Sequence, residues 1–277
     1  MSLAITDRPV FTFRQGTAPM LVSMPHVGTY LPPAIAERLT DEARQVPDTD
    51  WHLERLYDFV VGMGASVLVA THSRYVADLN RPPDGSSLYP GQSVTGLCPV
   101  DTFDDTPLYR DPKDVPDDAE VAVRRAQIWQ PYHDKLAQEL NRLLDQHGVA
   151  LLWDAHSIRS VLPRFFEGKL TDLNLGTGKG IACAQDIAEA VAAVAREGET
   201  DGYTSVLNGR FTGGYITRNY GKPEQGIHAI QLEMTQCSYM QEALPFDYLP
   251  ERAERVQPLL RRMVQTAFDG VTRSRKG

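Results

Sequence analysis

Two histidines and one glutamate stand where apolar runs of this chain turn polar. His26 follows PMLVSM, His156 follows VALLWDA, and Glu233 follows IHAIQL. An imidazole at the carboxyl edge of a sheet can offer a ring nitrogen to a metal or to a proton. Asp154 could hold the His156 ring from its other side, as metal-binding histidines usually require. Asp48, Asp50 and His52 cluster at a helix start, where Asp is also a favoured N-cap, so they serve either as caps or as a source of a metal carboxylate. Arg74 and Arg81 flank one short segment, RYVADLNR, and Arg218 follows a glycine pair. Arginine suits a carboxylate because its fork makes two parallel hydrogen bonds. Two imidazoles and a carboxylate are the protein ligands of many catalytic zinc sites, with a position left open for water. Such an ion lowers the pKa of the water and polarises a carbonyl. A further carboxylate could take the proton, and an arginine could stabilise the oxyanion. These are the parts of an amidohydrolase for an acidic substrate. Each part also has a plainer reading: a turn histidine beside Pro25 and Gly28, an exposed glutamate, or surface salt bridges.

The elements that must position these residues can be read from apolar patterning. Residues 19–24, 65–71, 149–153 and 227–232 are short apolar runs bounded by turn formers, which predicts buried strands. Residues 10–13 suggest an edge strand and 202–207 a further strand. Val76, Asp78 and Asn80 alternate with Tyr75, Ala77 and Leu79, which suggests another extended piece. Leu53, Leu56, Tyr57 and Val60 recur at helical spacing up to Gly62 or Gly64. Residues 119–147 read as helical, with a kink or restart at Pro131, and His133 and His147 read as solvated helix residues. Residues 182–196 form an Ala-rich helix and 250–268 a closing one. A short helix is expected after Pro32-Pro33. Residues 84–118 are rich in Pro, Gly and Asp and only weakly periodic. Long loops of this kind are usually binding loops or lids, so this one reads as cover over the site. The run Gly176-Thr177-Gly178-Lys179-Gly180 is not a phosphate loop. Leu173 occupies the position of its first glycine, and Gly180 replaces the Ser or Thr required after the lysine.

The totals narrow the class. A chain of 277 residues, 42% hydrophobic and 23% charged, fits one large α/β domain over 1–277. A net charge of -8 and a pI near 5.4 oppose nucleic acid and anionic membranes as partners. An anionic small molecule would therefore need a local arginine cluster. Cys98, Cys183 and Cys237 are widely spaced, with no C-x-x-C pair. That predicts a reducing cytoplasm and no structural disulfide. No basic-then-apolar leader opens the chain, and no apolar run nears the ~20 residues of a membrane span. There is no internal repeat.

The motifs SMPHVGTYLP, PDTDWHLERLYDF, THSRYVADLNRPPDG, LLWDAHSIRS and GGYITRNYG, followed by GIHAIQLEMTQCSYM, resemble the N-formylglutamate amidohydrolase (deformylase) family in this order. The resemblance covers nearly the whole chain. It implies a fold similar to the zinc carboxypeptidases and aspartoacylase: a three-layer α/β/α sandwich on a mixed, mostly parallel sheet. It implies hydrolysis of N-formyl-L-glutamate to formate and L-glutamate in histidine degradation, with one Zn2+ or another divalent metal per chain. It implies His26 and His156 as metal ligands, Glu233 as general base, Arg74 at the oxyanion, and Asn80 with Arg81 on a substrate carboxylate. The carboxypeptidase pattern takes its metal carboxylate from H-x-x-E, but Val27, Gly28 and Thr29 follow His26. The third ligand is therefore assigned to Asp50, with Asp48 and His52 as rivals. Arg218 is assigned to a second carboxylate from its charge and glycine context. A different N-acyl amino acid hydrolase or a small-peptide carboxypeptidase would use the same parts. A metal-free anion-binding protein would use the arginines alone.

Overall fold

Seven apolar or half-apolar runs pair into one sheet in the computed structural model, which describes residues 5–86 and 95–274. The strands are β1 (Phe11–Arg14), β2 (Met20–Met24), β3 (Ser66–Ala70), β4 (Ala150–Ile158), β5 (Leu173–Gly176), β6 (Ser205–Leu207) and β7 (Ile227–Thr235). Their order across the sheet is β1-β3-β2-β4-β7-β5-β6. The central strands β3, β2, β4 and β7 run parallel, while β1 and β5 pair antiparallel to their neighbours β3 and β7. The sheet is thus mixed and mostly parallel, as expected.

Helices cover both faces. Leu53 and Leu56 of α2 (Leu53–Leu56) and Val60 of α3 (Phe59–Gly62) lie on one side. They join Val191 and Ala195 of α6 (Gln185–Glu197) and Leu260 and Val264 of α8 (Pro250–Ser274) over Leu151, Trp153, Ile230 and Leu232. On the other side Leu136, Leu140 and Leu143 of α5 (Gln130–His147) pack on Leu21, Leu68, Leu152 and Ala229, beside Ile35 of α1 (Pro33–Ala36). This is a three-layer α/β/α arrangement. Among the described residues no helix is long and apolar enough to cross a membrane.

Several expected elements differ in detail, and each difference has a local cause. The predicted strands after Gly148 and Gly226 run on through His156 and Glu233, because β4 and β7 pair residue for residue along nine positions. Residues 76–80 are not extended. The Asp78 side chain accepts from the Asn80 amide at 2.9 Å and its amide donates to Leu97 O at 2.7 Å, so the segment turns. The helix over 53–62 is two short ones. The helix over 119–147 is α4 (Asp118–Arg124), a π-turn (Arg125–Trp129) and α5, with Pro131 in the first turn of α5. The helix is continuous through Trp129 and Gln130, so the proline directly follows the wider π-turn rather than a free helix start. His133 is buried, not solvated: its ring stacks on Trp129, and Nε2 meets Leu79 O at 2.8 Å. Strand β5 was not expected at all.

Candidate functional site

Strand alternation sorts the polar residues of β4 and β7 onto one face. Asp154 and His156 follow Ala150 and Leu152 on the α5 side, and Gln231 and Glu233 follow Ala229 there. The register sets Asp154 opposite Gln231 and His156 opposite Glu233. His26 arrives from the turn after β2, and its carbonyl accepts from the Asp50 amide at 3.0 Å. That bond brings the loop before α2 to the same spot.

Three ligand atoms converge. His26 Nδ1 and His156 Nδ1 are 3.1 Å apart, His156 Nδ1 and Asp50 Oδ2 are 3.1 Å apart, and His26 Nδ1 and Asp50 Oδ2 are 3.7 Å apart. Bonds of about 2.0–2.1 Å to one tetrahedral ion would place such atoms roughly 3.3 Å apart. The far nitrogen of each ring faces a carboxylate: His26 Nε2 to Asp78 Oδ1 at 2.7 Å and His156 Nε2 to Asp154 Oδ2 at 3.1 Å. Rings that donate from Nε2 present lone pairs at Nδ1. Two imidazole nitrogens and a carboxylate then meet face to face, at residues at most 3% exposed. A cation fits that donor set and would relieve it. The two rivals of Asp50 are engaged elsewhere. Asp48 Oδ2 accepts from Tyr75 Oη at 2.6 Å and from the Phe103 amide at 2.8 Å, and His52 Nε2 meets Phe246 O at 2.7 Å. None of the three residues caps α2 through its side chain.

Burial and charge bias the protons. Burial, helped by Arg74, lowers the pKa of His26 despite Asp78 and Asp50. Burial opposes charge on His156 too, but Asp154 and Asp50 outweigh it and hold that imidazole well above its ordinary value. The pocket of ligands therefore attracts positive charge, whether proton or metal. Burial would raise Asp78, yet Arg74, Arg81 and His26 together hold it well below the usual carboxylate range. Burial pushes Glu233 up to about 8 against the pull of His156 and Arg74. Gln231 Nε2 donates to Glu233 Oε2 at 3.3 Å.

A cleft opens beside these groups, lined by His26, His156 and Glu233 together with Arg74, Arg81 and Arg210. Arg74 donates to Asp78 Oδ2 at 2.6 Å, stands 3.8 Å from Asp50 Oδ1, and lies over the Phe103 ring. Asn80 Nδ2 lies 2.9 Å from His156 Nε2, and Asn80 Oδ1 accepts from the Ile216 amide at 2.8 Å. A Cβ on Gly214 would stand 2.3 Å from Asn80 Nδ2, so the glycine pair lets the chain pass over this side chain. Arg81 donates from Nε to Thr95 O at 2.9 Å and from Nη2 to Thr95 Oγ1 at 3.0 Å.

Arg218 is not among the lining residues. Helix α7 (Tyr215–Tyr220) carries it away, with its guanidinium donating to Gly213 O and Thr212 Oγ1, each at 2.8 Å. Arg210 lines the cleft instead, held by Phe165 O at 2.7 Å. Arg210, which lines the cleft, and Asp78, which holds His26 and Arg74, are among the residues here that sequence reasoning did not single out. The arginine lies one residue before the FTGGY stretch that marked the loop. The aspartate lies midway between the two marked arginines. Of the loop over 84–118, residues 87–94 lie outside the described residues. Thr95 and Phe103 contact Arg81 and Arg74 respectively.

Fold and site together define an α/β protein with a candidate His–Asp–His metal centre at the carboxyl ends of its central strands. The chain matches the model of the family N-formylglutamate amidohydrolase over residues 18–240 and belongs to that family. It is 50% identical over 258 residues to an N-formylglutamate deformylase of Pseudomonas aeruginosa, covering 93% of this chain and 95% of that one. It is 49% identical over 256 residues to one of Pseudomonas putida, covering 92% and 94%. The crystal structure of N-formylglutamate amidohydrolase from Ralstonia eutropha has the same fold, with a TM-score of 0.80 at 23% identity over 95% of this chain and 99% of that one.

Proposed function

We propose that this chain is an N-formylglutamate deformylase that hydrolyses N-formyl-L-glutamate to formate and L-glutamate with one divalent metal, zinc by preference. The convergence of His26, Asp50 and His156 beside Glu233 and a set of arginines carries this reading, in a chain half identical to deformylases over nearly its whole length. Two nitrogens and one carboxylate oxygen are a borderline-soft set that suits zinc and leaves a coordination position open. When bound there, zinc supplies Lewis-acid polarisation of the formyl carbonyl and makes water acidic enough to attack near neutral pH.

The chain's own residues do the rest. Asp78 and Asp154 fix the tautomer and the aim of the two imidazoles. Glu233 accepts the proton of the attacking water and returns it to the leaving amine of glutamate. Burial raises the affinity of this carboxyl for a proton, which suits it to take one and carry it. Arg74, already fixed by Asp78, presents its guanidinium where the formyl oxygen gains charge, so no reorganisation is needed as the charge develops. Arg81, beside Asn80, grips a substrate carboxylate. The three cysteines are free, which fits a reducing cytoplasm.

Substrate profiling tests the reading. Formate release from N-formyl-L-glutamate should exceed release of acetate from N-acetyl-L-glutamate, and of an amino acid from peptidyl glutamate, by orders of magnitude. Equal or greater turnover of an acetyl or peptidyl compound would replace the deformylase with a broader acyl amino acid hydrolase or carboxypeptidase.

A further inference from the structure

The proposed substrate carries two carboxylates, whereas chemistry at the formyl group needs neither. Three arginines line the cleft among the described residues, and their anchors differ. Arg74 is bound to Asp78 and stands beside Asp50, within the ligand cluster. Arg81 lies 4.0 Å from Asp78 Oδ2 and follows Asn80, whose amide touches His156. Arg210 is anchored at a different place. Its Nε donates to Phe165 O, and its guanidinium carbon lies 5.0 Å from the Phe211 ring centre. Phe165 and Phe211 belong to a separate apolar cluster with Phe103, Ile158, Leu162 and Leu170, which forms an aromatic wall of the cleft. Phe165 and Phe211 also line the cleft, so the Arg210 guanidinium is carried on a rigid aromatic mount.

Resting on the deformylase reading above, we infer that Arg210 binds the side-chain carboxylate of the substrate and sets the preference for glutamate over glutamine. The α-carboxylate is two bonds from the scissile nitrogen and belongs near the ligand cluster, with Arg81. The γ-carboxylate lies four bonds from that nitrogen, at the end of a flexible chain, and belongs at the aromatic wall, with Arg210. The aromatic mount has a second consequence: the two methylenes between the carboxylates lie against Phe165 and Phe211 and lose water there. Stacking leaves the edge of a guanidinium as its hydrogen-bonding side, which suits a planar carboxylate better than a neutral amide.

The test compares kcat/KM for N-formyl-L-glutamate and N-formyl-L-glutamine in the metal-loaded wild type, Arg210→Gln, Arg210→Lys and Arg81→Gln. The wild type should favour the glutamate compound. Arg210→Gln should lower that preference by roughly 10- to 100-fold, mostly through KM, the usual range for a lost charge-assisted hydrogen bond. Arg210→Lys should keep part of the preference, which also covers the case in which the glutamine variant fails to fold. Arg81→Gln should weaken both substrates together and leave the preference in place, because both carry the α-carboxylate. An unchanged preference in Arg210→Gln, or in Arg210→Lys if only that variant folds, would overturn the assignment and leave the deformylase reading intact. Loss of the preference in Arg81→Gln instead would exchange the two roles and overturn it as well. A wild type that releases no formate from N-formyl-L-glutamate would overturn the deformylase reading and this inference with it.

Discussion

Asp78 is fully buried and holds two donors at once: the His26 ring at 2.7 Å and the Arg74 guanidinium at 2.6 Å. It thus couples a candidate metal ligand to the arginine proposed for the oxyanion. Asp78→Asn keeps the shape but removes the charge that favours Nε2–H on His26. The expected outcome is a metal affinity lower by about 10- to 100-fold and a fall in kcat at saturating metal, read by metal titration and formate release. Retained affinity would show that the His26 tautomer is held by something else. Glu233→Gln separates binding from chemistry. It should keep metal and KM while kcat falls by about 10²- to 10⁴-fold, and wild-type turnover would remove Glu233 from proton transfer. At this scale the types of residue were legible but not every partner. His156 and Asp154 are two apart on one strand, so their relation follows from strand alternation. His26 and Asp78 meet across 52 positions, after a turn that the alternating pattern of 75–80 concealed.

The π-turn before α5 has a consequence for the neighbouring loop. Trp129 and His133, four residues apart on one helical face, reach the two carbonyls that bracket Asn80. The Trp129 indole N–H donates to Arg81 O at 3.0 Å, and His133 Nε2 lies 2.8 Å from Leu79 O. π-turns often occur at functional sites, and this one pins the backbone on both sides of Asn80, in the segment proposed to hold a substrate carboxylate. Trp129→Phe keeps an aromatic ring and loses the indole donor. KM for N-formyl-L-glutamate should rise several-fold, about the worth of one hydrogen bond of ~1 kcal/mol, with kcat changed less. An equal fall in kcat with unchanged KM would assign the contact to catalytic geometry instead. The main strands were legible because their apolar runs are bounded by Pro and Gly. Strand β5 was not. Its four residues, LNLG, include Asn174, and the strand is defined by its pairing with β6 and β7, which no local pattern reveals. The exchange of Arg218 for Arg210 has a similar origin. Both flank the glycine pair, and only the start of α7 at Tyr215 decides which one the cleft receives.

For the whole molecule, buried imidazoles link stability to pH. Burial lowers the His133 pKa to about 4, below its ordinary 6.5, despite the pull of Leu79 O. Between those values the unfolded chain binds the proton that the folded chain refuses. This contribution is therefore full above pH 6.5 and is lost as pH falls toward and through 4, a change on the order of 3 kcal/mol. Chemical denaturation at pH 7, 5.5 and 4 should show wild type losing more stability than His133→Gln, by about that amount. Parallel losses would mean that His133 is not the group responsible. Alternating strand and helix patterns made an α/β domain legible, while the three-layer plan came only from the resemblance to the deformylase family; with a net charge of -8, an anionic substrate required a local cluster of arginines. The convergence of His26, Asp50 and His156 was an expectation from chemistry, since spacing in sequence carries no distance in space.

The most direct measurement is metal content by mass spectrometry on protein purified without chelator, alongside formate release from N-formyl-L-glutamate. About one divalent ion per chain is expected, zinc foremost, lost together with formate release in His156→Ala. Wild-type protein that takes up no ion even after incubation with zinc, iron, cobalt or manganese, and releases no formate, would contradict it and leave the cleft arginines as a site for binding anions alone.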